Sequence, residues 1–64
     1  MIGSFVEFHA RDKRVRLCLA SGAVLSGTVR DVADDGGWLL LEEDGDRRVF
    51  VNTGQVETFE LLDG

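Results

Sequence analysis

Proline and tyrosine are absent from the 64 residues, and cysteine, histidine, methionine and tryptophan occur once each. One cysteine closes no internal disulfide. With one histidine, it falls short of the usual four-ligand zinc site unless carboxylates or a second chain contribute. No apolar run approaches the roughly 18 residues that a membrane-spanning helix needs. The stretch Met1 to Ala10 lacks the basic start and apolar segment of a signal peptide. An unpaired Cys18 suits a reducing compartment, so a cytoplasmic location without a membrane partner is expected. Positive charge is also scarce: seven basic residues stand against twelve acids, a net charge of −5. That balance argues against non-specific binding to nucleic acid or anionic lipid. The shortage is uneven. Residues 1–30 carry five basic and two acidic residues, and residues 31–64 carry two basic and ten acidic ones.

What is present is enough for one globular domain spanning 1–64, with 44% hydrophobic and 30% charged residues. A chain of this size buries only about 60% of the surface its unfolded form exposes. Without disulfide or metal, a well-shaped core or self-association has to supply the remaining stability.

Eight glycines punctuate short apolar runs, the pattern of a short-strand protein. Ser4-Phe5-Val6-Glu7 has the form of a capping box and predicts a helix over about 4–11. The same residues also fit a strand, with Val6 and Phe8 alternating against Glu7 and His9. Val15, Leu17 and Leu19 alternate with Arg16, Cys18 and Ala20 as a half-buried strand. Ser21-Gly22 turns the chain into a second strand through Leu25, Gly27 and Val29, and Gly27 at its centre predicts a bend. Asp34-Asp35-Gly36-Gly37 is a turn, Trp38 to Glu43 a third strand and Asp44-Gly45-Asp46 a hairpin turn. Arg48 to Val51 is a fourth strand, Asn52-Thr53-Gly54 a tight turn and Val56 to Leu62 a fifth. The expected fold is mainly β: a short N-terminal helix followed by a strongly bent, five-stranded antiparallel barrel over about 14–62. Trp38, Leu40, Val49 and Val51 are assigned to its core. Leu39, Leu41 and Phe50 are assigned to the opposite face, where they would join Val56 and Phe59 in a subunit interface. The alternative for that apolar set is a minor core beneath the N-terminal segment.

Lys13 to Gly22, followed by Gly27-Thr28-Val29 and then by Val49 to Val56, resembles the two motifs of Sm-like proteins over roughly residues 4–62. That resemblance implies a homo-oligomeric ring of about six or seven subunits with RNA held around its pore. The positions it would assign to RNA are Asp35, Gly37, Asn52 and Thr53 in two loops, with Arg11, Lys13 and Arg14 as the basic set. The family's usual base-and-phosphate residues are largely missing there. The order Gly27, Asp34-Asp35-Gly36, Leu39-Leu40-Leu41, Asp44-Gly45 and Gly54-Gln55-Val56 also resembles the SH3-like domain that closes bacterial biotin protein ligases. This second resemblance implies an interaction module, a monomer or dimer, that binds a protein partner through an exposed strand edge.

Neither reading makes the chain an enzyme. Cys18 and His9 are the only candidates for a nucleophile–base pair; Cys18 reads as a packing residue and His9 as a helix C-terminus. Glu42, Glu43, Asp44 and Asp46 lack the spacing of a calcium loop. No cofactor and no metal are expected.

Overall fold

The computed structural model describes residues 11–62. Five strands follow in order: β1 (Arg14–Leu19), β2 (Val24–Val32), β3 (Trp38–Glu43), β4 (Arg48–Asn52) and β5 (Val56–Leu61). A single 3-10 turn, Thr53–Gln55, joins β4 to β5. All four ladders are antiparallel, and the sheet order is β4-β3-β2-β1-β5. β4 and β5 are thus the two edges of the sheet, yet only the three-residue turn separates them in sequence. The sheet therefore has to curl until its edges approach. Ala20 N donates to Gln55 O (2.8 Å), which ties the end of β1 to that turn.

β2 is the long, bent strand about which this happens. Its first half pairs with β1 and its second with β3, and Gly27 pairs with both Val15 and Glu43. A Cβ on Gly27 would lie 2.2 Å from the carbonyl oxygen of Glu42. Only glycine permits this approach of two backbones. A bulge follows between Val29 and Asp31. It shifts the side-chain phase, so Arg30 and Asp31 both face solvent while Val29 and Val32 both face inward.

The core comprises Val15, Leu17, Val29, Val32, Leu39, Leu41 and Val51, flanked by half-buried Leu19, Leu25, Val49, Val56 and Phe59. Five strands and their turns fall where the sequence places them. The face of β3 does not. Leu39 and Leu41 are fully buried, and Trp38 is 40% exposed. The reason is register: Leu39 pairs with Val51 and Leu41 with Val49, so these four side chains share the inner face. Leu40 pairs with Phe50 on the outer face. Residues 4–10 of the expected helix lie outside the described residues. Its last position, Arg11, forms an isolated bridge with Val29. Among the described residues no helix is long and apolar enough to cross a membrane.

Candidate functional site

The outer face of the β3–β4 hairpin, at its loop end, carries an aromatic corner. Trp38 and Phe50 meet edge to face, with ring centroids 5.1 Å apart and planes at 89°. Phe50 is 71% exposed, an unusual degree for a large apolar side chain on a strand. Gly37, Trp38, Phe50, Val51 and Asn52 line an open concavity of about 510 Å³ here. Phe50 stands on edge strand β4, whose outer backbone groups pair with no other strand among the described residues.

Two turns fix the corner. In the first, Gly36 N donates to Ala33 O (2.8 Å) and Gly36 sits at φ 75°, a left-handed conformation suited to glycine. Gly37 N donates to Asp35 Oδ1 (2.8 Å). In the second, Gly54 N donates to Asn52 Oδ1 (2.9 Å), which caps the 3-10 turn. Thr53 staples the two together. Its backbone N donates to Gly37 O (3.1 Å) and its buried hydroxyl to Gly36 O (2.5 Å).

Asp35, Gly37, Asn52 and Thr53, the loop positions picked from the sequence, are thus brought together. Their side chains, however, are engaged locally, and only Thr53 is buried. The Thr53 hydroxyl, the Asn52 carbonyl and one Asp35 oxygen are spent on the turns themselves. The basic set is not part of this cluster. Arg14 pairs with Asp44 (2.8 Å) at the opposite end of the hairpin, Arg11 with Asp31 (3.5 Å), and Lys13 accepts Val29 N with its backbone oxygen (3.2 Å). Arg16 grips Glu60 through two nitrogens (3.0 and 2.6 Å), and the Glu60 carboxylate raises its pKa above the usual value. Every arginine among the described residues has an acidic partner. Among the described residues no unanswered stripe of positive charge is left for a phosphate backbone.

Of the expected interface residues, Leu39 and Leu41 are committed to the chain's own core and offer no surface to a second chain. Val56 and Phe59 pack half-buried against that core. Phe50 alone stands clear of it. Trp38, able to stack if exposed but assigned from the sequence to the core, stands at the site at 40% exposure. The signal was its position, first in the strand and directly after a glycine turn, where side chains at the sheet rim are wetter than those at mid-strand. Cys18 is a free, half-buried thiol between its neighbours Val24 and Thr58. No group of three or more metal-ligating side chains exists among the described residues.

Comparison with known proteins agrees with one of the two resemblances. Residues 12–57 match the family model of the biotin protein ligase C terminal domain. No curated protein and no solved structure gives a significant match. Nothing found supports the Sm-like assignment, nor the ring and RNA ligand that came with it.

Proposed function

We propose, from the premise that this chain belongs to the biotin protein ligase C-terminal domain family, that it is an SH3-like protein-interaction module. It docks an extended segment of a partner protein along the free edge of β4. The observation that carries this reading is Phe50, 71% exposed on an unpaired edge strand and braced by Trp38. An edge strand offers backbone hydrogen bonds for a peptide to complete, and adjacent pockets supply selectivity. An apolar ring held rigid at such an edge is the kind of anchor around which binding energy gathers. The module works as a monomer or dimer, in the cytoplasm, and carries out no chemical step of its own.

Selection of extended peptides from a random library on the intact chain tests this. Bound peptides are expected to protect the β4 amides from hydrogen exchange. Phe50→Glu is expected to weaken them at least about tenfold, the loss of one good anchor. Val24→Glu, at another exposed apolar position, should leave binding intact. Protection of β5 in place of β4, or equal binding to the Phe50→Glu variant, would refute the assignment of the edge.

A further inference from the structure

The docking reading leaves open what the partner brings to the aromatic corner, and the charges around it answer that. We infer that the corner between Trp38 and Phe50 receives a cationic side chain, lysine or arginine, from the partner's extended segment. The inference rests on the docking reading above and narrows it.

Three observations carry it. The first is the rings. They stand perpendicular, at 89° and 5.1 Å, so a group entering the corner meets the face of one ring while touching the edge of the other. Ring faces carry partial negative charge and attract guanidinium and ammonium groups. The second is a carboxylate on the turn that leads into Trp38. Asp35 hydrogen-bonds Gly37 N through Oδ1 (2.8 Å). Both its oxygens lie within 4 Å of where a Cβ on Gly37 would be, and Gly37 lines the concavity. Its second oxygen makes no hydrogen bond among the described residues.

The third is the surplus. Asp34 and Asp35 form no ion pair among the described residues, whereas each described arginine already has an acid. The loop end of the hairpin therefore carries negative charge that no described residue answers. A second copy of the chain is a poor occupant. It arrives with a net charge of −5 and the same two aspartates. A basic side chain satisfies the rings and the carboxylate at once.

Trp38 is the only tryptophan in the chain, so its emission reads occupancy of the corner directly. The probes are three ten-residue Gly/Ser peptides with central Val-Arg-Val, Val-Gln-Val or Val-Glu-Val. They are titrated into the full chain at low ionic strength. The arginine peptide is expected to bind about tenfold more tightly than the glutamine peptide, and the glutamate peptide most weakly. Asp35→Asn keeps an acceptor for Gly37 N and removes only the charge. Phe50→Leu keeps the apolar bulk and removes the ring. Each is expected to erase most of the arginine preference, with the circular dichroism of the folded sheet unchanged. Equal binding of the arginine and glutamine peptides would overturn the cation inference and leave docking at β4 standing. Failure of all three peptides to change Trp38 emission would also overturn it, while the library selection above judges the docking reading separately.

Discussion

The two ends of the β3–β4 hairpin are built from the same two strands and are chemically opposite. At the turn end, charges are answered across strands. Glu42 on β3 takes Arg30 of β2 at 2.8 Å and Arg48 of β4 at 3.7 Å, and Arg30 also reaches Asp12 at 3.4 Å. Arg47 holds Glu43 and Arg14 holds Asp44, each at 2.8 Å. At the loop end, about 17 Å away along β3, two aromatic rings stand exposed next to a turn whose Asp34 and Asp35 form no ion pair among the described residues. Dense charge pairing fits the first end for holding strands in register, with Asp46 of the turn the one acid there that forms no ion pair among the described residues. The second end has apolar surface and charge that no described residue answers.

The largest effect on this contrast is expected where β2 bends and keeps the two ends apart. Gly27→Ala drives a Cβ into the Glu42 backbone. It should cost about 3 kcal/mol, enough to unfold much of a marginal small domain, as thermal melting would show. Next is a matched pair on the inner and outer faces. Leu39→Ala empties a fully buried site and should cost about 2–5 kcal/mol. Phe50→Ala removes a larger but exposed side chain and should cost less than about 1 kcal/mol while weakening peptide capture. Equal losses in denaturant titration would mean that Phe50 is a core residue and that the two faces do not differ. Thr53→Val keeps shape but leaves Gly36 O without its hydroxyl donor. About 1–2 kcal/mol is expected, together with a broader Trp38 emission as the corner loosens.

The smallest effect belongs to the turn end and depends on pH. The hydrogen bond from Arg30, and then its charge, hold the Glu42 carboxyl below its ordinary value of 4.5. A carboxylate so depressed favours the folded state above the unfolded-state value, and that contribution disappears as pH falls through the folded one. Stability should therefore fall on acidification below about pH 4.5, and Glu42→Gln should flatten that part of the curve. At neutral pH the same variant should change little, since an exposed pair is screened by water and salt. A flat acid limb in the unsubstituted chain would remove Glu42 from the account of this end.

Much of the fold is legible in the residues. Alternation marks the strands, and Asp34 to Gly37, Asp44 to Asp46 and Asn52 to Gly54 mark the turns. Gly27 announces the bend. The face of β3 was not legible, because Trp38, Leu39, Leu40 and Leu41 are all apolar and period two leaves no polar marker. What decides it is the pairing of Leu41 with Val29 on β2 and with Val49 on β4, and of Leu39 with Val51, which belongs to the partner strands. Phe50 stands outside, and Asp35, Gly37, Asn52 and Thr53, positions that the Sm-like resemblance implied, lie on two turns that Thr53 joins. What they do there was hidden, since the stapling bonds of Thr53 run to backbone atoms 16 and 17 positions away. Backbone partners leave no trace in side-chain identity.

The central claim is that the β4 edge, with its aromatic corner, stays open for a partner of a different kind. Light scattering after gel filtration at two concentrations tests it most directly. The account predicts a mass of one chain, 7.0 kDa, or twice that. A mass of about six or seven chains, stable on dilution, would indicate β4 and β5 edges closed against each other in a ring and would contradict it.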